Sequence, residues 1–313
     1  MYQAVKGGDL TTVQRIIADD PSKLDATCTK NKKSPLVWAC AEACKQAVIA
    51  KWLIQKGAIL DLIDNEGCSA LMLACCFNQP KTAELLIKKG SELNLVDNKG
   101  LSALLFACRY DQPATAEMLI QNGAELEFTS TEGCSALLAS CCFNQPGTAQ
   151  LLIKMGAKLN SVDFKGRSAL MLACCYNEPK AAELLIKKGA EINLVDKIGW
   201  SALMYACRFD QPETTALLIQ EGAKLDLVDV NGMSALMLAC FDPYNNRTES
   251  AMLKSLQYCY VGGANIQLST SRNYYFAGIN NVNKGSVVLD IARLFGPYSV
   301  VDFLEVISGP AGS

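Results

Sequence analysis

The feature that most constrains this sequence is a glycine that returns every 33 residues, at Gly67, Gly100, Gly133, Gly166, Gly199 and Gly232. An aspartate stands three residues before five of these glycines, and the tripeptide Ser-Ala-Leu begins two residues after every one. A period of this length indicates a repeat architecture, in which each unit buries its apolar surface against its neighbours. The period, rather than the length of 313 residues, therefore predicts the fold.

Each repeat carries signals for two short helices. After Gly67, Ser69 is placed to cap a first helix, which we expect to end near Phe77. Pro80 is placed in the first turn of a second helix, where its missing N–H has little cost. Gly90 is expected to end that helix in a left-handed conformation. The residues up to the next glycine then form a tight turn at the tip of a hairpin.

The order Asp, Gly, Ser-Ala-Leu, Ala-Cys, Leu-Leu and a final Gly resembles the ankyrin repeat, whose consensus has Asp, Gly, Thr-Pro-Leu-His, Ala-Ala, Leu-Leu and Gly-Ala at these spacings. The resemblance implies an all-α repeat protein, an ankyrin solenoid of stacked helix-turn-helix units with projecting β-hairpin loops. One departure concerns the consensus histidine, whose hydrogen bonds to neighbouring loops must be replaced by packing. Apolar residues stand there, at Met72, Leu105, Leu138, Met171, Met204 and Met237.

We expect a single ankyrin-repeat domain of nine units over residues 1–313. Its parts are an N-terminal cap at 1–30, a first repeat with a two-residue insertion at 31–63, five regular repeats at 64–228, an irregular repeat with a long insertion at 229–281, and a C-terminal cap at 282–313. The long insertion includes Tyr274, Tyr275 and Phe276 but few aliphatic residues. Such a composition is typical of a loop that a partner orders.

The 15 cysteines follow the same period. Seven of them occupy one position of successive units, at Cys40, Cys75, Cys108, Cys141, Cys174, Cys207 and Cys240. This regularity predicts buried, reduced thiols that act as small apolar side chains rather than a disulfide framework. Metal binding is the alternative, but adjacent cysteines on one helix point in different directions and the chain has no histidine. We therefore predict no metal site.

Composition argues against several classes of function. With 29 basic and 31 acidic residues, the chain has no general attraction for nucleic acid. Its longest apolar stretches, such as residues 70–77, are too short to cross a bilayer, and residues 1–10 lack the apolar segment of a secretory signal. We therefore expect a cytoplasmic, reducing location without membrane insertion.

The sequence also lacks the parts of a catalytic site. Without histidine there is no Ser-His or Cys-His nucleophile pair, and no glycine-rich phosphate loop with a Lys-Ser/Thr ending is present. The acidic residues occur mainly at turns and on helix surfaces. We therefore predict that the protein is not an enzyme, with no catalytic residues and no cofactor.

The resemblance implies that a protein partner binds a concave face formed by the hairpin tips and first helices. Aromatic and arginine side chains, which dominate the energetics of many interfaces, follow the ends of the first helices on this face. This set comprises Phe77, Arg109, Tyr110, Phe143, Tyr176, Arg208 and Phe209. The alternative is that these rings pack between repeats and cover the helix ends.

Bulky apolar residues at later hairpin tips form a second candidate set, comprising Phe164, Ile198, Trp200, Val230 and Met233. Exposed apolar groups commonly mark a partner site, whereas the alternative is packing between hairpins. Tyr274, Tyr275 and Phe276 of the insertion complete the candidates. We expect a protein-interaction scaffold or adaptor that is monomeric on its own. The alternatives are a structural subunit docked through its insertion, or a parasite or bacterial effector that targets a host protein.

Overall fold

In the computed structural model, the chain folds into pairs of short helices that follow one another along the sequence. The structure describes residues 1–41, 47–241, 247–270, 274–276, 279–282 and 287–308. It groups into two compact units, Met1–Lys158 and Leu159–Ser313. Nine helix pairs are present in the described part of the chain.

The first unit contains five helix pairs. Its helices are α1 (Tyr2–Gly7), α2 (Leu10–Asp19), α3 (Pro35–Cys40), α4 (Ala47–Gln55), α5 (Ala70–Cys76), α6 (Pro80–Lys88), α7 (Ala103–Arg109), α8 (Pro113–Gln121), α9 (Ala136–Cys142) and α10 (Pro146–Lys154). A short 3-10 helix, Pro21–Leu24, follows α2. Helices α1 and α2 lie in the segment expected to form the N-terminal cap. The surplus residues of the first repeat fall between α3 and α4, where residues 42–46 lie outside the described part.

The second unit contains four helix pairs and a small hairpin. Its elements are α11 (Ala169–Cys175), α12 (Pro179–Lys187), α13 (Ala202–Arg208), α14 (Pro212–Gln220), α15 (Ala235–Cys240), α16 (Glu249–Val261), β1 (Tyr274–Phe276), β2 (Ile279–Val282), α17 (Val288–Phe295) and α18 (Tyr298–Ser308). The strands are antiparallel, with Tyr274 opposite Val282 and Phe276 opposite Ile279. The irregular repeat thus contains β1 and most of β2, and α17 and α18 lie in the segment expected to form the C-terminal cap.

The helix signals act as the sequence predicts. The Ser69 hydroxyl accepts a hydrogen bond from the Met72 backbone N–H at 3.3 Å, and α5 ends just before Phe77. Pro80 is the first residue of α6. Gly90, just beyond the end of α6, has a φ of 85°, a left-handed conformation that favours glycine.

Two methionines at the consensus histidine position do more than pack. The backbone N–H of Ser168 donates to the Met171 sulfur at 3.5 Å, and that of Ser201 donates to the Met204 sulfur at 3.4 Å. Thioether sulfur is a weak acceptor. These bonds lie within the N-terminus of a single helix, so they add local capping and do not replace the histidine bonds to neighbouring loops.

A buried glutamine that precedes the second helix ties successive repeats together. The Gln79 side-chain amide donates to the backbone carbonyl of Cys40 at 3.2 Å, and Gln112 donates in the same way to Cys75. In the second unit Gln211 donates to the Cys174 carbonyl. These bonds satisfy carbonyl groups at first-helix ends that would otherwise be buried without a donor.

The irregular repeat makes the same connection with a different residue. The Arg247 guanidinium donates to the backbone carbonyl of Cys207 at 2.5 Å and forms an ion pair with Asp210. Cys207 lies one period after Cys174, whose carbonyl accepts a hydrogen bond from Gln211. The repeat with the insertion therefore keeps this tie through an arginine.

The core of each unit lies between its rows of helices. In the first unit α5 contacts α3 and α7, while α6 contacts α4 and α8. The seven periodic cysteines are fully buried in the cores of the two units, as predicted. Burial raises the pKa of the Cys40 thiol to about 12 and also raises the pKa of Cys75. All 14 described cysteines are free thiols, and Cys44 lies outside the described residues.

We expect Leu185→Ala to lower the free energy of unfolding by roughly 2 to 5 kcal/mol, because it empties a fully buried site. The neighbouring Leu184, which is only partly buried, provides a matched control. Chemical denaturation of both variants measures the difference. Hydrogen exchange should show the loss of protection concentrated near α12. An equal loss in every repeat, or equal effects of the two substitutions, would contradict packing between nearest neighbours.

We also expect the periodic cysteines to react slowly with a thiol reagent in the native protein. The thiolate is the reactive form, and burial both raises the pKa and blocks access. Labelling followed by peptide mass spectrometry checks this, with the denatured protein as the control. Fast modification of Cys75, Cys108 or Cys174, or masses that show disulfides at these positions, would overturn the prediction.

Candidate partner-binding surfaces

Five of the six hairpin tips have an aspartate whose carboxylate closes them, and Ser130 closes the sixth through its hydroxyl, which accepts from the Glu132 and Cys134 backbone N–H groups at 3.3 Å. In the first unit, Asp97 Oδ1 accepts hydrogen bonds from the backbone N–H groups of Lys99 and Leu101 at 2.8 and 2.7 Å. In the second unit, Asp196 Oδ1 accepts from Ile198 and Trp200 at 3.0 and 2.8 Å. The periodic aspartates therefore fix the shape of the tips and leave the tip side chains to vary.

Within each unit the tips are joined backbone to backbone. Asn98 N–H donates to the Glu66 carbonyl at 2.9 Å, and in the second unit Val230 N–H donates to the Ile198 carbonyl at 3.0 Å. The periodic glycine allows this approach. A Cβ on Gly100 would lie 2.8 Å from the Thr131 nitrogen, a distance that real Cβ atoms do not adopt. The tips of each unit therefore form an ordered row.

The tips of the second unit carry exposed apolar side chains. Phe164 is 65% exposed, and Ile198 and Val230 are each 49% exposed. The sequence therefore predicted the exposure of these three correctly. Further valines on the same hairpins, which the sequence analysis did not select, are also exposed, namely Val162, Val195 and Val228. The apolar surface of these tips is larger than predicted.

The exposure predicted for Met233 is wrong, because this side chain is fully buried. Trp200 is only half-exposed. Its ring packs edge-on against Tyr205, with 5.1 Å between ring centroids, and its indole N–H donates to Asp229 Oδ2 at 3.1 Å. Trp200 thus shows the alternative, packing between hairpins, because it hydrogen-bonds to Asp229 of the next hairpin, while Met233 is buried.

Tyr205 links this cluster to the first helix. Its hydroxyl donates to Asp196 Oδ2 at 2.8 Å. Burial is the main cause that raises the pKa of Tyr205, and the Asp196 hydrogen bond adds to it. Tyr205 therefore stays protonated and keeps donating to the carboxylate. These contacts hold in place the hairpin tips that precede α13 and α15. They are made by Trp200, Tyr205, Asp196 and Asp229.

In the first unit, exposed aromatic rings follow the ends of three first helices. Phe77, Tyr110 and Phe143 cap α5, α7 and α9, and each is more than a third exposed. The Arg109 guanidinium lies over the Phe143 ring, 4.4 Å from its centroid, and 5.9 Å from the centroid of Tyr110. This part of the predicted aromatic set is therefore accessible.

The same pattern occurs in the second unit. Tyr176 and Phe209 are exposed at the ends of α11 and α13. The Arg208 guanidinium lies 5.9 Å from the centroid of Phe209 and 5.7 Å from that of Phe241, a buried residue. The Phe209 ring also stacks on Tyr205 at 6.3 Å. Part of each ring is thus packed within the unit while part remains accessible.

A groove of about 600 Å³ lies beside the aromatic rings of the first unit. Its lining includes Lys33, Phe77, Lys99, Phe106, Arg109 and Tyr110. Sequence reasoning selected three of these residues but did not predict the groove. The signal that could have indicated it is the pairing of a basic tip residue, Lys99, with a basic helix end, Arg109.

One group of side chains in the described residues has the composition of a metal site. The potential ligand atoms of Asp64, Glu66 and Cys68 lie within 4.8 Å of one another. However, Asp64 Oδ1 accepts from the backbone N–H groups of Glu66 and Cys68, each at 2.9 Å, and Oδ2 forms an ion pair with Lys33 at 3.4 Å. The arrangement repeats the tip closure of the other hairpins, which accounts for it without a metal.

Residues 274–276 form β1, but the contacts of the Tyr274, Tyr275 and Phe276 side chains lie outside the described part. Among the described helices, none combines the length and apolar character needed to cross a membrane.

Comparison with known proteins agrees with this architecture. A family model described as ankyrin repeats (3 copies) matches residues 1–97, 104–196 and 170–266. Among solved structures, the ankyrin repeat domain of Bcl-3, a member of the IkappaB protein family, superimposes with a TM-score of 0.60 at 23% sequence identity. The match covers 77% of this chain and 99% of that one, and at this identity it shows the fold alone. No curated protein sequence matches the chain.

The half-buried position of Trp200 predicts that Trp200→Ala destabilises the protein by about 2 kcal/mol or more, since the ring contact and the hydrogen bond to Asp229 are both lost. Phe164→Ala should change stability by only about 0.5 kcal/mol, as is usual at the surface. Thermal and chemical unfolding of the two variants test this contrast. Equal effects would show that Trp200 is not a packing residue.

Proposed function

The chain belongs to the ankyrin-repeat family, and on that premise we propose that it is a protein-interaction scaffold that binds a partner through its hairpin tips and first-helix ends. Ankyrin repeats generally mediate protein–protein interaction. We propose further that it acts as an adaptor without catalytic activity, in keeping with a fold that is typically non-enzymatic. A reducing, cytoplasmic location is supported by periodic cysteines that fill apolar core positions.

The observation that carries the proposal is the row of exposed apolar side chains on the tips of the second unit. Phe164, Ile198 and Val230 stand on hairpins whose backbones are fixed by aspartate hydrogen bonds and by contacts between tips. A rigid backbone loses little conformational entropy on binding. Burial of exposed apolar area contributes roughly 25 cal/mol per Å², so these side chains gain stabilisation only when a partner covers them.

In each unit, exposed aromatic rings at the first-helix ends form a further part of the proposed binding surface. Phe77, Tyr110 and Phe143 supply it in the first unit, and Tyr176 and Phe209 in the second. Aromatic and arginine side chains are enriched among residues whose truncation costs most binding energy. Arg109 and Arg208, which lie against these rings, complete that combination. Met233 does not belong to the proposed surface, because it is buried.

A second candidate role is that of a structural subunit docked through the insertion. The β1–β2 hairpin supports it, because a two-stranded hairpin is marginally stable in isolation and benefits from a packing surface. In that case residues 274–276, rather than the tips, would make the main contact with the assembly.

The two roles are separated by substitution at the tips. We expect the triple variant Phe164→Ser, Ile198→Ser, Val230→Ser to melt near the native temperature and to lose at least tenfold in affinity, about 1.4 kcal/mol, for a partner recovered from the native cell. Affinity purification with quantitative mass spectrometry identifies that partner, and titration with the purified partner measures the affinity.

Val261→Ser serves as the control, because Val261 is 83% exposed at the end of α16 and away from the tips. It should leave partner binding unchanged. If the triple variant binds as tightly as the native chain while a change at residues 274–276 abolishes capture, the insertion is the docking site and the tip proposal fails.

A further inference from the structure

Arg109 differs from several other arginines of the structure in its electrostatic partners. Arg167, Arg247 and Arg293 each form an ion pair with a carboxylate. Arg109 makes no ion pair within the described residues, although its side chain is half-buried. Its guanidinium lies over the faces of the Phe143 and Tyr110 rings. A partly desolvated cation without an anion is an unusual arrangement for a purely structural residue.

The two rings hold the guanidinium in position. Its central carbon lies 4.4 Å from the Phe143 centroid and 5.9 Å from that of Tyr110, within the range of cation–π attraction. A ring face satisfies none of the guanidinium N–H donors. Since the planar guanidinium matches a carboxylate with two parallel hydrogen bonds, a fixed and unpaired arginine favours that ligand.

The surrounding charges support an anionic ligand. Lys99, on the tip beside the groove, is exposed and forms no ion pair within the described residues. Asp97 also lines the groove, but one of its oxygens is occupied by two backbone N–H groups of the tip. Glu66 is the remaining acidic lining residue, and Lys33, which also lines the groove, is already paired with Asp64. Lys99 and Arg109 are thus the groove cations without an acidic partner.

The apolar part of the lining limits the ligand further. Phe77 stands one repeat before Tyr110, and both rings are exposed in the groove. Packed helices lie about 8–10 Å apart, and an extended peptide advances about 3.3 Å per residue. Because alternate side chains of an extended peptide share a face, the peptide residues that reach Phe77 and Arg109 must differ by an even number of positions, and an offset of two, about 6.6 Å, is nearest to that spacing.

Building on the proposed protein-binding function, we propose that this groove binds an extended peptide segment of the partner in which an Asp or Glu pairs with Arg109 and an apolar residue two positions away packs on Phe77. Lys99 adds attraction for the acidic residue and speeds the encounter. The tips of the second unit remain a separate contact surface.

Selection from a random-peptide library on the full chain tests this proposal. The selected peptides should share an acidic residue with an apolar residue two positions away. In fluorescence anisotropy, Arg109→Gln in the protein and Glu→Gln in a synthetic selected peptide should each weaken binding at least tenfold. Combining the two changes should add little, because both remove the same contact.

Arg208→Gln is the matched control, because Arg208 occupies the equivalent position of the second unit and also lies over an aromatic ring. It should not change the affinity of the selected peptide, and both variants should melt like the native chain. Arg109→Lys should restore only part of the affinity, since it keeps the charge but not the paired donors.

Three outcomes would overturn the proposal, namely selected peptides without an acidic residue, acidic peptides that bind Arg109→Gln as tightly as the native chain, and failure to select any peptide that the Arg109 change weakens. The proposed scaffold function is judged separately. If selected peptides or the cellular partner are lost with the triple tip variant but not with Arg109→Gln, the function stands and the groove proposal fails.

Discussion

The backbone contact between successive hairpin tips is the constraint on which the arrangement of each unit depends. The tip of Asp97–Leu101 hydrogen-bonds to the preceding tip through Asn98, and Gly100 leaves no room for a side chain against the following one. In several repeats a buried glutamine makes a second tie at the opposite end of the first helix, as Gln112 does to Cys75. These two fixed points account for a period that does not vary over six glycines.

This constraint separates the residues that stabilise each unit from the residues that remain available to a partner. Backbone groups and aspartate side chains close the tips, so the outward side chains are free to differ between repeats. In the second unit they are Phe164, Ile198 and Val230, which make the tips apolar. In the first unit, Lys99 and Arg109 give the groove beside the aromatic rings a basic character. One scaffold thus carries two surfaces of different chemistry.

The sequence predicted the helices well because capping serines, prolines and terminal glycines act within a few residues of their own position. It failed for Met233 because it treated every residue near a tip as outward-facing. The residue after each periodic glycine points inward: Cys68 and Met233 are buried there, and Trp200 is partly buried. The glutamine ties were missed because their acceptors are distant in sequence, 37 residues away for Gln112 and 39 for Gln79. The groove was missed for the same reason, because its lining residues, from Lys33 to Tyr110, are distant in sequence.

The central claim is that the tips and first-helix ends bind a partner while the second helices serve the scaffold. Hydrogen–deuterium exchange of the full chain, with and without the partner recovered from the native cell, tests it most directly. The account predicts added protection at residues 163–167, 196–200 and 229–233 and at the ends of first helices, with α12 and α14 unchanged. Protection confined to the second helices or to residues 274–282 would contradict it.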